Sequence, residues 1–169
     1  DVASVLRDRG FDGSGALQYA PLGPRLMAGM RGDTLVVNGV VAPVAKAPAG
    51  IVRLRLLNAA NARNFDLSFS DNRTLHVIAS DGGYLRAPVA MTALTIAPGE
   101  RFEVLVDFSD GKSVQLTTAA DSRAAMGMGP GMMRGMMGMA PGDGAGFLMR
   151  FDVDPSLSAR VKTPPAVLL

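Results

Sequence analysis

The sequence predicts an all-β fold, in the form of a single β-sandwich. Apolar and polar residues alternate with a period of two, as in strands that bury one face. In residues 51–57 (IVRLRLL), for example, the second, fourth and sixth positions are apolar and arginines separate them. The chain also has 20 glycines and 11 prolines among 169 residues, which fits the many turns of a sandwich.

Three strands are predicted at the centre of the chain, in residues 51–57, 65–69 and 75–79. Each is followed by a stretch rich in Asn, Asp or Gly, which suit turns because they bond nearby backbone groups or accept positive φ. None of these residues has helical spacing. We therefore expect a consecutive set of antiparallel strands.

The flanking segments supply the remaining strands. A short strand is predicted at residues 2–6, and Asn38-Gly39 predicts a tight hairpin within residues 34–41. Pro88 is expected to interrupt strand structure, because proline has no N–H to donate to a neighbouring strand. The last predicted strands cover residues 91–97, 101–107, 113–118 and 147–153.

Length and composition favour one domain that covers residues 1–169. Residues 122–146 are predicted to be a flexible insert rich in Met and Gly. Residues 155–169 contain three prolines and are predicted to be a C-terminal linker.

Charge and cysteine content exclude several classes of function. A net charge of +2, with basic residues scattered along the chain, argues against a nucleic-acid partner. Without cysteine there is no disulfide, thiolate metal site or thiol nucleophile. No apolar run is long enough to span a membrane, so no membrane partner is expected.

Four segments carry a resemblance to a known family. They are GDTLVVNG at 32–39, VRLRLLNAANAR at 52–63, SDNRTLHVIASDGG at 70–83 and APGERFEVLVDFSD at 97–110. In order and approximate spacing they resemble the middle cupredoxin-like domain of three-domain multicopper oxidases, most closely the bacterial copper-efflux, cuprous-oxidase type. The resemblance implies a Greek-key β-sandwich of cupredoxin type in an exported, periplasmic protein.

The same resemblance implies copper chemistry in a larger parent protein. Multicopper oxidases pass electrons from a donor, such as Cu(I) or a phenol, to a type 1 copper and on to a trinuclear cluster that reduces dioxygen to water. The family builds both centres from its first and third domains. This chain has one histidine and no cysteine, so it is expected to be a non-catalytic bridge between those domains and inactive alone.

Methionines form the strongest candidate metal site. Residues 126–139 (MGMGPGMMRGMMGM) hold seven of the eleven methionines, and thioethers select Cu(I) over harder ions. The candidate ligands are Met126, Met128, Met132, Met133, Met136, Met137 and Met139. The alternatives are a Gly/Met loop without a ligand, or methionines that fill an apolar groove at a domain boundary. Known copper-efflux oxidases carry such an insert in the third domain, whereas here it falls in the second.

Other polar residues have structural interpretations. His76, the single histidine, lies between Leu75 and Val77 and is interpreted as a structural or surface residue because one imidazole rarely forms a metal site. The carboxylates of Asp107 and Asp110 are interpreted as turn residues. Five arginines suggest either an anion patch or, as we favour given nearby acids, a solvated or interdomain face: Arg53, Arg55, Arg63, Arg73 and Arg101.

Two other functions remain open from the sequence. One is a free-standing periplasmic Cu(I) carrier that uses the methionine run. The other is a structural β-sandwich module for adhesion or assembly. Cu(I) titration separates the first from the bridge, and self-association without copper would indicate the second.

Overall fold

A computed structural model of the chain describes residues 1–19, 29–120, 144–161 and 163–168. That part of the chain forms strands, turns and loops, and none of it forms a helix long and apolar enough to cross a membrane. The strands are β1 (Val2–Phe11), β2 (Leu17–Gln18), β3 (Thr34–Val37), β4 (Val40–Val41), β5 (Val44–Ala47), β6 (Ile51–Asn58), β7 (Phe65–Phe69), β8 (Leu75–Ser80), β9 (Gly83–Met91), β10 (Ala93–Ile96), β11 (Arg101–Asp107), β12 (Val114–Thr118) and β13 (Gly146–Val153). The predicted all-β fold is confirmed.

The strands form two sheets that pack face to face. The larger sheet has the order β4-β3-β1-β6-β11-β8-β9, with β2 paired to β1, and the smaller has the order β10-β7-β12-β13-β5. β1 runs parallel to β6 and β13 runs parallel to β5, whereas the neighbouring strands around them are antiparallel. This arrangement is a cupredoxin-like β-sandwich.

The core lies between the sheets because strands of both turn apolar residues inward. Every second residue from Val52 in β6 and from Phe65 in β7 is buried. The rings of Phe69, Phe108 and Phe151 meet there, with centroids 5.2 to 6.1 Å apart. The sequence alternation therefore identified the inward faces of these strands correctly.

The predicted hairpin at Asn38-Gly39 is confirmed. Both residues have positive φ, 52° and 82°, and Val37 pairs with Val40 across the turn. The Asn38 side chain also holds β1, because its Oδ1 accepts the Val5 N–H at 2.8 Å. Asn38 thus fixes both the β3–β4 hairpin and the adjacent strand β1.

The expected consecutive antiparallel set is wrong. β6 and β8 lie in the larger sheet on either side of β11, whereas β7 lies in the smaller sheet between β10 and β12. Residues 59–64 carry the chain from one sheet to the other. Alternation shows which face of a strand is buried, but it does not show which strand lies beside it.

Two strand boundaries also differ from the prediction. Pro88 lies inside β9, which is an edge strand. The pairing of β9 with β8 shifts register between Val77 and Ala79 of β8, and this irregularity accommodates the proline. β1 continues beyond Leu6 to Phe11 because its second half pairs with β3 and β2.

The C-terminal residues return across the outer face of the larger sheet. Leu168 packs on a small apolar cluster that includes Leu105. The N–H of Ile51 bonds to the carbonyl oxygen of Val161 at 3.2 Å. The linker role of residues 155–169 stays a prediction, but the described residues of this segment contact the sandwich.

Candidate functional site

Metal ligands were the first candidates from the sequence. The described residues contain no group of three or more His, Cys, Asp or Glu that could hold a metal ion. His76 is half-buried on β8, opposite Leu105 on β11 and Ala90 on β9. Its cross-strand neighbours are therefore apolar, which fits the structural interpretation.

The copper centres of the resembling family do not fit the residues of this chain. A type 1 centre needs a cysteine thiolate and histidines, and the sequence has no cysteine and one histidine. The seven methionines between Met126 and Met139 lie outside the described residues, so their Cu(I) binding stays a prediction.

Four of the five highlighted arginines pair with carboxylates of this chain. The pairs and their N–O distances are Arg53–Glu103 (2.5 Å), Arg55–Asp1 (3.1 Å), Arg73–Asp71 (2.7 Å) and Arg101–Asp81 (3.0 Å). An anion patch needs uncompensated positive charge, so these arginines do not form one. The turn interpretation also fits, because Asp107 accepts the Ser109 N–H and Asp110 accepts the Lys112 N–H.

The fifth arginine, Arg63, does not lie on an outward face as expected. Its side chain is 1% exposed, and its Cζ lies 5.7 Å from the ring centroid of Phe65. One guanidinium nitrogen donates to the carbonyl oxygen of Gly144. The cause is that Arg63 follows β6 in a connection that turns into the sandwich, where strand alternation no longer applies.

Asn58 organises this connection from the end of β6. Its side chain is fully buried, and its Nδ2 donates to the carbonyl oxygens of Arg63 and Ile96, both at 2.8 Å. Its Oδ1 accepts the N–H of Ala60 at 2.9 Å. One side-chain amide therefore holds the path of the chain between the two sheets.

Asp8 is a buried carboxylate near the same end of the sandwich. It is 3% exposed, and its Oδ2 accepts the N–H of Gly32 at 2.8 Å. Burial raises the pKa of the Asp8 carboxyl, while the Gly32 hydrogen bond and the positive charge of Arg63 partly offset that rise. The buried charges of Asp8 and Arg63 therefore partly compensate each other.

We call Asp8, Asn58 and Arg63 the polar end cluster. Through the bonds above, these three residues tie β1 and β6 to the segments that begin at Gly29 and Gly144. The cluster offers hydrogen bonds and charge but no nucleophile paired with a base. Its direct role is to position loops at one end of the sandwich.

The sequence contained a partial signal for this cluster. Asp8 falls on the inward side of β1, in register with the buried Ser4 and Leu6. A longer predicted β1 would have marked it as a buried carboxylate. Asn58 lies in the Asn-rich stretch where the sequence predicts a turn, and alternation alone does not reveal its bond to the distant Ile96.

Two cavities flank the polar end cluster. The first has a volume of about 220 Å³, and its wall includes Asp8, Arg9, Leu17, Tyr19 and Arg31. The second, of about 420 Å³, is lined in part by Arg63 and the segment after Gly144. Among the described residues that line the two cavities there is no histidine, cysteine or serine.

Comparison with known proteins connects this fold to a family. The family model for multicopper oxidases matches residues 14–126. The cell division protein FtsP of Rahnella sp. (strain Y9602) is 48% identical over 117 residues, which are 69% of this chain and 24% of that protein.

Two solved structures show the same likeness along almost the whole chain. The laccase-like multi-copper oxidase CueO from Ochrobactrum sp. has a TM-score of 0.81 and 44% identity, and the match covers 99% of this chain and 35% of that one. The 2F4 variant of McoA from Aquifex aeolicus has a TM-score of 0.78 and 30% identity, with 99% and 34% covered.

The chain spans about a quarter of the length of these curated relatives and about a third of the solved chains. The matches agree with the two-sheet architecture and with the resemblance found in the sequence. The family match, which includes β3 to β12, covers more than half of the chain. This chain belongs to the multicopper oxidase family.

Proposed function

We propose that this chain is the non-catalytic central domain of a multicopper oxidase. It joins the first and third cupredoxin domains of the same periplasmic protein, which carry the type 1 and trinuclear copper centres. The whole protein oxidises Cu(I) or phenolic donors and reduces dioxygen to water. This domain sets the distance and angle between its two neighbours.

One observation carries the proposal. The described strands of both sheets share one apolar cluster, but the chain, with one histidine and no cysteine, cannot build either copper centre of the family. The buried bonds of the polar end cluster add rigidity between β6 and β7. A fold that lacks the cysteine and histidine ligands of both centres suits a spacer.

The parent protein provides the test. We expect the parent to bind copper, to show the blue absorption of a type 1 site and to consume dioxygen with a phenolic or Cu(I) donor. The chain alone, loaded with the same copper salts, is expected to show neither the blue absorption nor the dioxygen consumption. Blue absorption or dioxygen consumption by the chain alone would contradict the spacer role.

A linker exchange tests the spacer role directly. Replacing residues 1–169 in the parent with a flexible Gly/Ser linker is expected to abolish oxidase activity, because the trinuclear cluster needs two domains held in register. The control is a parent with a stability-neutral surface change, such as Gly82→Ala. Full activity after the exchange would show that this domain is dispensable.

We also propose that the methionine run binds Cu(I) and raises its concentration near the parent protein. The support is the sequence itself, because seven soft thioethers lie within fourteen residues, 126–139. An anaerobic Cu(I) titration against a competing chelator tests this. Changing all seven to leucine, which conserves volume, is expected to abolish binding, whereas Met91→Leu is expected to leave it unchanged.

A second candidate function comes from the relatives named cell division protein FtsP, which are 45% to 48% identical to this chain. In that case the parent serves cell division and need not oxidise a donor. A deletion strain complemented with a parent whose copper ligands are replaced separates the two. Restored division without copper would favour the division role, and restored copper tolerance only with intact ligands would favour the oxidase.

A further inference from the structure

The hairpin of β1 and β2 carries an exposed apolar patch beside the 220 Å³ cavity. Phe11 and Leu17 are a cross-strand pair, so their side chains lie on the same face. They are 41% and 59% exposed, and Tyr19 is 65% exposed. We call Phe11, Leu17 and Tyr19 the hairpin patch. Leu17 and Tyr19 also form part of the cavity wall.

Two arginines without a salt bridge to any described residue border the hairpin patch. Arg7 and Arg9 alternate with Asp8 along β1 and therefore share a face with Phe11. Within the part of the chain that the structure describes, neither forms a salt bridge, and Arg9 donates instead to the carbonyl oxygen of Asp8 at 2.9 Å. This contrasts with Arg53 and Arg55, which both have carboxylate partners.

The nearby carboxylates are already engaged in local bonds. Asp8 is buried and accepts the Gly32 N–H, and Asp12 accepts the N–H groups of Ser14 and Ala16 at 2.8 and 2.9 Å. The surface therefore presents guanidinium groups next to exposed apolar and aromatic side chains. Arginine and aromatic residues are the types enriched at protein interfaces.

We propose that the hairpin patch and its cavity bind an acidic segment of another polypeptide. A carboxylate side chain of that segment enters the cavity beside Arg9, and an adjacent apolar side chain packs on Leu17 and Tyr19. A carboxylate bound to arginine in a concave site gains more than one on an open surface, because less water screens the charges. Neither the copper chemistry nor the spacer role specifies this surface.

Peptide titration of the ¹⁵N-labelled chain, followed by NMR, tests the proposal. The probes are acetyl-Glu-Leu-Glu-amide, the matched acetyl-Lys-Leu-Lys-amide, and sodium acetate. We expect the acidic peptide alone to give saturable shifts, confined to amides that line the cavity, such as Gly10, Gln18 and Gly32. Equal shifts with acetate would indicate a small-anion site only and would overturn the proposal.

Three variants, one of them a control, make the test specific. Arg9→Glu is expected to weaken binding of the acidic peptide about tenfold, because it replaces attraction with repulsion at the cavity. Arg55→Glu, on β6, is the matched charge reversal and is expected to leave binding unchanged. Leu17→Ser removes apolar contact from an exposed position and is expected to weaken binding without unfolding the chain.

Three further outcomes would overturn the proposal. They are equal shifts with the lysine peptide, no shifts with any probe, and equal effects of Arg9→Glu and Arg55→Glu. Dispersed amide spectra of each variant show that it is folded, so an unfolded variant cannot imitate a loss of binding. A folded Leu17→Ser variant with unchanged affinity would also exclude the apolar contact.

Discussion

The side-chain amide of Asn58 donates to the carbonyl oxygen of Arg63 at 2.8 Å, across the connection that carries the chain from one sheet to the other. The same Nδ2 donates to Ile96 O, and Oδ1 accepts the N–H of Ala60. An apolar side chain at this fully buried position would leave two carbonyl oxygens and one N–H without these partners. Such losses are costly because water does not replace the bonds.

Asn58→Leu is therefore expected to lower the free energy of unfolding by about 3 kcal/mol. Urea denaturation followed by circular dichroism measures the change. The matched control is Asn61→Leu, at an exposed position of the same connection, where a change within about 0.5 kcal/mol is expected. Equal losses from both variants would show that the buried bonds of Asn58 are not the cause.

Asn58 also shows how far the sequence could predict this fold. Alternation in β6, β7 and β11 correctly predicted strands and their buried faces, because burial on one side of a sheet has a period of two. The partners of those strands were not predictable in the same way. They depend on connections such as residues 59–64, whose path is fixed by side-chain bonds to distant backbone.

Arg73 is predicted to stabilise the fold through both charge and ring contacts. Its Cζ lies 5.0 Å from the ring centroid of Phe108, and its guanidinium bonds to Asp71 at 2.7 Å and Asp110 at 3.1 Å. A lysine cannot reproduce this planar, multiply bonded geometry. We expect Arg73→Lys to lower the free energy of unfolding by about 1 to 2 kcal/mol.

The control for Arg73 is Arg55→Lys, because the Arg55–Asp1 pair is about half exposed on both sides. Exposed pairs contribute little, so a change within about 0.5 kcal/mol is expected there. Thermal or urea unfolding of both variants checks the comparison. If both variants lowered the free energy of unfolding by the same small amount, the contact of the Arg73 guanidinium with the rings of Phe69 and Phe108 would not stabilise the fold.

Ser156 is predicted to affect the stability of the fold at low pH, because it bonds to the carboxyl group of Asp154. Hydrogen bonds from the Ser156 hydroxyl (2.6 Å) and N–H (3.0 Å), with Lys46 (3.1 Å), lower the pKa of Asp154 from 3.8 to about 2. Because the folded pKa is the lower one, this contribution to stability is complete above pH 3.8. It is lost as the pH falls toward 2.

Ser156→Ala is expected to raise the pKa of Asp154 toward its ordinary value, because the largest cause of the shift is removed. Carboxyl ¹³C NMR titration measures the pKa directly. Ser14→Ala removes the equivalent hydroxyl from Asp12 and serves as the control, with no expected effect on Asp154. An unchanged Asp154 titration in Ser156→Ala would assign the shift to the backbone N–H of residue 156 and to Lys46 instead.

The candidate site was less predictable than the fold, for two different reasons. Cu(I) binding by the run between Met126 and Met139 rests on composition, and those residues lie outside the described part of the chain. The polar end cluster depends instead on contacts between residues that are far apart in the sequence. Asp8 bonds to Gly32, 24 residues away, and Arg63 bonds to Gly144, 81 residues away. No local sequence pattern reveals such pairs.

Gly32 provides a final test of the end of the sandwich that holds the cavity. A Cβ at this position would lie 2.1 Å from the carbonyl carbon of Arg9 and 2.4 Å from its oxygen. Arg9 belongs to β1, which is paired with β3 and cannot yield easily. Gly32→Ala is therefore expected to lower the free energy of unfolding by about 3 kcal/mol.

Gly82→Ala is the matched control, because nothing lies within 4 Å of its added Cβ. We expect that variant to change the unfolding free energy by less than about 0.5 kcal/mol in the same urea titration. Gly32 also donates its N–H to Asp8 and forms part of the cavity wall. If the two alanine variants were equally stable, Gly32 could not lie against Arg9, and the cavity proposed to receive a carboxylate would have a different wall.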